Sequence, residues 1–212
     1  MYADRARAVE VSPTRDADER GRGARRLLLL QTTLRLIADD GIDAVTHRAV
    51  AEAANVPLGS TTYWFKSRQE MLREALEYFA RLQIETLNEH LDSVLGKRLS
   101  RRQLVDEFAD LLMAQLGDQR WRTVAQYALL GEAARRPELQ AVCREWSEAW
   151  ELALTGLFES LGSTDSRLEA QMFLAMLDGL LLGQLAAPDP QFEHDVLRPA
   201  LGTWFGRIGA GR

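Results

Sequence analysis

Apolar residues recur along this chain with the period of an α-helix. From residue 27 onward, leucine, isoleucine and alanine return every three or four positions, and no stretch alternates apolar and polar residues as a half-buried strand would. Residues 27, 30, 34, 37 and 38 form the first stripe, which Gly41 closes as a helix-ending glycine. The pattern predicts an all-α protein with about nine helices.

Capping and breaking residues divide the chain after Gly41. Thr46 is a predicted N-cap, because a threonine hydroxyl accepts from the unpaired N–H groups of a first turn. Asn55 tolerates left-handed backbone and Pro57 suits the start of a helix, so the two mark a tight turn. Ser67 is the predicted cap of a long fourth helix. The predicted helices after the first span about 46–54, 58–65, 67–95, 100–116, 119–135, 137–161, 165–187 and 191–208.

Two short helices joined by a tight turn have the size of a helix-turn-helix, in which the second helix enters the major groove of DNA. Spacing alone is a weak signal, since helical hairpins are common. The apolar residues of this region add weight because they can form the small core that sets the angle between the helices. These residues are Val50, Ala51, Ala54, Val56 and Phe65.

The segment VTHRAVAEAANVPLGSTTYWFKSRQEMLREAL, residues 45–76, resembles the TetR (tetracycline-repressor) family of bacterial transcriptional regulators. It shares the threonine-capped helix, the alanine-rich contact, the turn, and a glycine-containing recognition helix that ends in aromatic residues. The resemblance implies a three-helix DNA-binding domain over residues 21–67 and a helical effector-binding and dimerisation domain over residues 68–212. Residues 1–20 contain few large apolar side chains and are predicted to form a disordered arm.

The resemblance also implies which residues contact DNA. They are Thr46, Arg48, Leu58, Gly59, Ser60, Thr61, Thr62, Tyr63, Trp64, Lys66 and Arg68. In this assignment Thr46 and Arg48 contact the DNA backbone, and Lys66 and Arg68 contact phosphates. Hydroxyl groups of the recognition helix can reach base edges, and a threonine methyl can pack on a thymine methyl.

The aromatic residues at the end of that helix have different predicted orientations. We expect Phe65 to face inward and Thr61 and Thr62 to face the DNA. For Tyr63, core packing and phosphate contact both stay open. Trp64 stands where the family often has histidine, and groove contact, sugar-phosphate contact and surface packing all stay open for it.

The middle helices are rich in tryptophan and methionine, and a few polar residues interrupt their apolar faces. Such a mixture suits an apolar pocket with a few polar groups, although an aromatic stripe also suits a solid core. Asp178 fits either a ligand contact or a structural cap or ion pair. The predicted effector-binding residues are Met113, Gln126, Tyr127, Trp146, Trp150, Met176 and Asp178.

The net charge of −5 does not by itself suggest a DNA-binding protein, but it is unevenly distributed. Residues 1–72 contain 11 basic and 10 acidic residues, so the acidity belongs to the remainder of the chain. A cluster of arginines precedes the first apolar stripe, where either a phosphate-binding arm or a solvated terminus is consistent with the sequence. The cluster comprises Arg20, Arg22, Arg25 and Arg26.

Other classes of protein are disfavoured. The single cysteine, Cys143, excludes an internal disulfide and fits the cytoplasm, and no metal-binding, phosphate-loop or nucleophile motif is present. We therefore expect no enzyme activity and no cofactor. The longest apolar stretch, residues 172–187, is interrupted by Asp178 and Gln184 and is shorter than the roughly 20 residues of a membrane span. We expect a soluble protein without a membrane partner.

These observations and the family resemblance together predict a homodimeric transcriptional regulator, most simply a repressor. Its expected partners are a double-stranded, (pseudo)palindromic operator, a second copy bound through the last two helices, and a small-molecule effector of unknown identity. The alternative is a helical DNA-binding or protein-interaction module without an effector, which would have a solid core in place of a pocket.

Overall fold

The computed structural model describes residues 13–97 and 99–208 of the chain. These residues form nine α-helices and no strand, which confirms the predicted all-α fold. The helices are α1 (Pro13–Asp40), α2 (His47–Ala53), α3 (Leu58–Trp64), α4 (Arg68–Gly96), α5 (Arg101–Leu116), α6 (Arg120–Ala133), α7 (Pro137–Ser160), α8 (Ser166–Ala186) and α9 (Arg198–Arg207).

Most helix boundaries lie where the capping residues predict them. The Thr46 hydroxyl accepts a hydrogen bond of 3.1 Å from the backbone N–H three residues later, and the Ser67 hydroxyl does the same at the start of α4, also at 3.1 Å. Asn55 has a φ of 52°, so the turn between α2 and α3 uses the left-handed conformation that asparagine tolerates. Gly41 has a φ of 85° after α1. Local chemistry therefore sets the boundaries of α1, α2, α3 and α4.

The start of α1 differs from the prediction. The helix begins at Pro13, so residues 13–20 belong to α1, whereas we expected them in a disordered arm. Proline suits a first helical turn, and the alanine, glutamate and arginine residues that follow are good helix formers. The rest of the predicted arm, residues 1–12, lies outside the described residues.

The last predicted helix is also divided. Residues Glu193–Leu197 form a π-helical turn, and α9 follows from Arg198. Pro199 explains the change of register, because it has no N–H to donate to the carbonyl four residues earlier.

The buried apolar residues fall into two groups. The first core joins α1, α2 and the first half of α4 to α6 and the first half of α7. Its larger members are Leu29, Leu30, Leu34, Ile37, Val50, Phe65, Met71, Leu72, Leu76, Phe79, Leu129, Leu139 and Trp146. The second core joins the end of α4 to α5, the second half of α7, α8 and α9. Its larger members are Leu87, Leu91, Leu104, Phe108, Leu112, Leu154, Leu157, Phe158, Phe173, Leu177, Leu181, Leu201 and Phe205.

Helix α8 contributes one side to the second core and leaves an apolar side exposed. Within the described residues it is the one helix long and apolar enough to cross a membrane. One such helix is weak support for a membrane span, because core helices of soluble proteins have the same length and composition. Its exposed side carries large and small apolar residues in a stripe. The stripe consists of Leu168, Met172, Ala175, Gly179, Leu182, Gly183 and Ala186.

Candidate functional site

The inner face of α3 packs on α2 and on the first core. Phe65, which directly follows α3, is 1% exposed, so the prediction that it faces inward is confirmed. Val50 and Ala51 of α2 are also buried and provide the surface on which α3 lies. The angle between the two helices is therefore fixed from within the chain, and the opposite side of α3 faces solvent.

The prediction that Thr61 faces the DNA is wrong. Its side chain is fully buried, and its hydroxyl lies 2.9 Å from the Leu58 carbonyl oxygen and 3.3 Å from the His47 carbonyl oxygen, to which it can donate. Thr61 is four residues before Phe65, and residues four apart share one helix face. The hydroxyl therefore holds α3 against the start of α2 and does not face outward as predicted.

The outer face of α3 is open to solvent. Leu58, Gly59 and Thr62 are exposed, as is Tyr63, whose side chain is 69% exposed. Tyr63 thus faces outward, which decides between its two predicted orientations. No atom lies within 4 Å of where a Gly59 side chain would begin, so nothing inside the chain requires glycine there.

Trp64 is half-buried and packs against the first core. Its ring stands edge-on to Tyr63, with the ring centroids 5.0 Å apart and an angle of 87° between the planes. Surface packing is therefore one role of Trp64, and through it the Trp64 ring supports the exposed tyrosine. Ser60 lies beside these residues and is partly exposed.

Arg68 also differs from its predicted role. Its Nε donates to the Val45 carbonyl oxygen over 2.8 Å, and its Nη2 donates to the Ile42 carbonyl oxygen. The Asp43 carboxylate lies 3.6 Å from the same guanidinium. Because these acceptors occupy the guanidinium, Arg68 fastens the start of α4 to the loop before α2. Arg48 and Lys66 have exposed side chains, which a phosphate can reach.

Two arginines of the cluster ahead of the first apolar stripe differ in their surroundings. Arg26 forms an ion pair of 2.6 Å with Glu74 on α4. Arg25 is exposed and lines a surface hollow together with Gly59, Tyr63 and Trp64 of α3. The side chains of the other two arginines in the cluster, at positions 20 and 22, lie outside the described residues. Arg25 therefore adds a positive charge beside the exposed face of α3.

A cavity of about 100 Å³ lies between the two cores. Its walls come from α4, α5, α6, α7 and α8. The lining residues are Gln83, Leu112, Gln115, Gln126, Leu130, Trp146, Ser147, Trp150, Leu174, Leu177, Asp178 and Leu181. Four predicted effector-binding residues are among them, namely Gln126, Trp146, Trp150 and Asp178. The polar groups of the cavity thus face walls that are mostly apolar.

The other three predicted effector-binding residues do not line the cavity. Met113 and Met176 pack against the second core. Tyr127 lies behind the wall, and its hydroxyl donates to Asp178 Oδ1 over 3.0 Å. The methionines were predicted from residue type, but flexible apolar side chains also fill gaps in an ordinary core.

The Asp178 carboxylate is at the mouth of the cavity, since Asp178 is exposed on α8 while it lines the cavity wall. Surrounding protein atoms remove part of its hydration and raise the pKa of Asp178, and the hydrogen bond from Tyr127 opposes that rise to a smaller extent. Burial and the neighbouring carboxylate raise the pKa of Tyr127, so the phenol keeps its proton and remains a donor.

Two tryptophans of the cavity wall have unsatisfied donors. The indole N–H groups of Trp146 and Trp150 are buried and have no hydrogen-bond acceptor among the described residues. An unpaired buried donor costs about 1–3 kcal/mol. Trp146 also stands edge-on to Phe79 of the first core, with the ring centroids 5.6 Å apart.

Comparison with known proteins agrees with both parts of this geometry. Residues 29–75 match the family model described as bacterial regulatory proteins, tetR family. Residues 99–207 match the tetracyclin repressor-like C-terminal domain. The second match covers more than half of the chain and includes α5 to α9. The chain belongs to the TetR family. The resemblance seen in residues 45–76 is thereby confirmed.

Similar TetR-family chains align over nearly their whole length. A transcriptional regulator of Streptomyces coelicolor A3(2), SCO7518, is 31% identical, with 88% of this chain and 98% of that chain covered and a TM-score of 0.68. The multidrug binding protein EbrR, solved with ethidium, is 30% identical, with 85% and 97% covered and a TM-score of 0.65. The nicotine-responsive transcriptional repressor HdnoR of Paenarthrobacter nicotinovorans is 21% identical over 190 residues, with 87% and 96% covered.

Membership of the TetR family makes this protein a transcriptional regulator and not an enzyme. The state of its single cysteine is consistent with that role. Cys143 is half-buried, and burial raises the pKa of its thiol, so the side chain behaves as a small apolar group and not as a thiolate nucleophile.

Several residues that line the cavity were not among those predicted from the sequence. Gln83 is four residues after Phe79 and four before Leu87, so a polar residue interrupts the buried stripe of α4. Gln115 lies three residues after buried Leu112 in the same way. In both places a side-chain amide on an otherwise apolar helix face could have predicted a polar residue in the cavity lining.

Proposed function

We propose that this protein is a cytoplasmic, homodimeric repressor that binds a (pseudo)palindromic operator and is released when a small molecule enters the cavity. In this proposal residues 21–67 read DNA, and residues 68–212 dimerise and bind the effector. The observation that carries the proposal is that Trp146 belongs both to the cavity wall and to the core that holds the DNA-binding helices. A molecule that displaces Trp146 therefore acts on the support of α1 to α3.

The proposed operator contacts come from the exposed face of α3 and from nearby cations. Tyr63, Thr62 and Ser60 reach base edges or sugar-phosphate, with Leu58 and Gly59 lying along the groove and Trp64 supporting Tyr63. Thr46 caps α2 and still has a hydroxyl hydrogen to donate to a phosphate. Arg48 and Lys66 bind phosphates as charged groups. Thr61 and Arg68 position the helices in this scheme.

The proposed dimer forms through α8 and α9. The exposed stripe of α8 is apolar and contains two glycines, which allow two helices to approach closely. One helix-turn-helix reads too few base pairs for useful specificity, whereas a dimer reads two major grooves about 34 Å apart. Burial of the stripe against a second copy would also account for so apolar a helix side facing solvent in the single chain.

The small size of the cavity supports a coupling between effector and operator. Ligand pockets usually measure about 300–1,000 Å³, so a cavity of about 100 Å³ must open to admit most molecules. Its opening would move Trp146 against Phe79 on α4, and Gln126 with the rest of α6. On α6, the ring of Trp121 packs under the Arg35 guanidinium of α1 at 4.4 Å. The effector then favours a state whose recognition helices no longer match two successive grooves.

Two relatives support a small-molecule effector for this chain, because the multidrug binding protein EbrR was solved with ethidium and the repressor HdnoR is nicotine-responsive. The alternative is a DNA-binding module without an effector. The small volume of the cavity supports this alternative too, because a space of about 100 Å³ is also compatible with a core that binds no ligand. The two differ in one measurable respect, since the module predicts operator binding that no ligand weakens.

The test of operator binding begins by sequencing the genomic fragments that the purified protein retains, which identifies the operator. Arg48→Ala should then weaken binding to that operator and reduce the magnitude of the slope of log affinity against log salt by about 0.9 per protomer, or about 1.8 for the proposed dimer. The matched control is Arg102→Ala, which removes an exposed arginine from α5. If the two variants bind equally well in a gel shift, the proposed DNA contact of Arg48 is wrong.

A further inference from the structure

The cavity has one ionisable side chain in its lining, and that side chain is acidic. Asp178 is surrounded by Leu174, Leu177 and Leu181 of the same helix, and no lysine, arginine or histidine is among the lining residues that the structure describes. The facing walls from α4, α5, α6 and α7 bring only uncharged polar groups, those of Gln83, Gln115, Gln126, Trp146, Ser147 and Trp150. The cavity therefore presents a single negative charge to a ligand.

That charge lacks a cationic partner within the described part of the chain. Asp178 Oδ1 accepts from the Tyr127 hydroxyl, and the carboxylate forms no ion pair there. A carboxylate whose hydration is reduced is unfavourable unless hydrogen bonds or an opposite charge compensate it. One neutral hydrogen bond leaves most of the acceptor capacity of the two oxygens unused. A cation at the cavity mouth would supply what is missing.

The aromatic walls favour the same kind of molecule. The faces of two tryptophans attract cations, and aromatic surroundings are a recurrent means of binding quaternary ammonium groups. Their buried N–H groups have no acceptor among the described residues, so a hydroxyl or carbonyl oxygen of a ligand that reached either of them would gain a hydrogen bond. An anionic ligand would satisfy the donors but would be repelled by Asp178.

We infer that the effector is a small organic cation that carries a hydrogen-bond acceptor, with its positive charge beside Asp178 and its apolar body against Trp146 and Trp150. Tyr127 is a positioning residue, because its hydroxyl holds the carboxylate at the cavity mouth. The inference rests on the proposed function, since it presumes that the cavity is the effector site.

The test compares two probes that differ only in charge, measured by calorimetry on the full-length protein. The cation is choline, and its neutral isostere is 3,3-dimethyl-1-butanol, in which carbon replaces the charged nitrogen. Wild-type protein should bind choline at least about tenfold more tightly than the isostere. Asp178→Asn should remove that preference, while Asp92→Asn, which changes an exposed aspartate on α4, should retain it.

The pH dependence gives a second measurement that a structural defect would not reproduce. Choline requires the ionised carboxylate, so its affinity should fall as the pH drops through the pKa of Asp178 in the free protein. Tyr127→Phe removes a hydrogen bond that favours the ionised form, so the fall should occur at higher pH. Tyr127 is the titratable group in contact with Asp178, and no other described group moves the pKa appreciably.

The outcomes separate this inference from the proposed function. Equal or tighter binding of the neutral isostere, failure of choline to bind, or an Asp178→Asn variant with unchanged preference would overturn the cation assignment. The effector role would still stand if another class of molecule released the operator. If no molecule that binds the cavity weakens operator binding, the proposed release mechanism itself fails, whatever the charge preference.

Discussion

The two cores of this protein differ in composition and in their surroundings. The second core is built on four phenylalanines that contact one another, Phe108, Phe158, Phe173 and Phe205, with ring centroids 5.3 to 6.4 Å apart. The first core is mainly aliphatic around the DNA-binding helices, and its aromatic edge borders the cavity. Interlocked rings resist rearrangement, whereas a core with a cavity at its edge has room to move. Both cores border the cavity, but only the first contains the residues packed around α1 to α3. In the proposed mechanism an effector therefore moves the first core, while the second core holds the proposed dimer.

The largest expected effect comes from breaking the second core. Phe173→Ala removes a fully buried ring that contacts three other phenylalanines and Trp204, and should lower the free energy of unfolding by about 3–5 kcal/mol. Denaturant unfolding measures this loss. Leu152→Ala is the control, since Leu152 is 76% exposed on α7 and its removal should change stability by less than about 0.5 kcal/mol. Equal losses in the two variants would contradict the role given to the aromatic group.

A smaller effect should follow from loosening the attachment of the start of α4 to the loop before α2. Arg68→Ala removes the donors to the carbonyls of Val45 and Ile42, and should lower the free energy of unfolding by about 1–3 kcal/mol. Operator binding should weaken with it, because the loop before α2 loses its anchor. Arg48→Ala should weaken operator binding without a change in unfolding. If the Arg68→Ala protein were as stable as wild type but bound the operator less tightly, the result would support the original prediction that Arg68 contacts a phosphate.

Two neighbouring threonines test the inner and outer faces of α3. Thr61→Val should cost about 1 kcal/mol of stability, since the buried carbonyls it serves lose a donor, and should leave the preferred operator sequence unchanged. Thr62→Val changes an exposed hydroxyl and should alter operator affinity while stability stays within about 0.5 kcal/mol. Unfolding curves and gel shifts on both variants measure the difference, and an exchange of these two outcomes would reverse our assignment.

The smallest effect concerns the junction of α6 and α7, next to the first core. Hydrogen bonds from Arg135 and Arg136 hold the pKa of the buried Glu132 carboxyl below its usual value. The resulting stabilisation is present above the pKa of an unfolded glutamate and is lost as the pH falls through the lowered folded value. Glu132→Gln should therefore reduce the melting temperature near neutral pH, and its difference from wild type should shrink in acid. A difference that is independent of pH would contradict this account.

Much of this fold follows from the sequence because its causes are local. Thr46, Asn55 and Ser67 act on backbone groups within a few residues of themselves, so their effect is visible in the order of the residues. The placement of Thr61 was also a local matter, but its hydroxyl suggested DNA contact, while its spacing from Phe65 indicated burial. The spacing was the better guide, because a helix presents residues four apart to the same side.

The site could be predicted only in part because its contacts are distant in sequence. Tyr127 and Asp178 are hydrogen-bonded although 51 positions separate them, and no pattern in either helix specifies that pairing. From the sequence, the guanidinium of Arg68 was expected to contact a phosphate. The path of the loop before α2, which places two carbonyl oxygens beside it, could not be predicted. Gln83 could be predicted in part. Its position on the apolar face of α4 follows from the sequence, but the cavity that it lines forms only when five helices pack together.

The positions of the tryptophans also place intrinsic fluorescent groups at both proposed binding surfaces. Trp64 stands against Tyr63 on the proposed operator face, and Trp146 and Trp150 border the cavity. Indole emission depends on the polarity around the ring, so a bound effector would change the spectrum of the cavity pair, and DNA would change that of Trp64. A Trp64→Phe protein would lose the emission of the proposed operator face, so a change on adding a ligand would come from the four remaining tryptophans, Trp121, Trp146, Trp150 and Trp204.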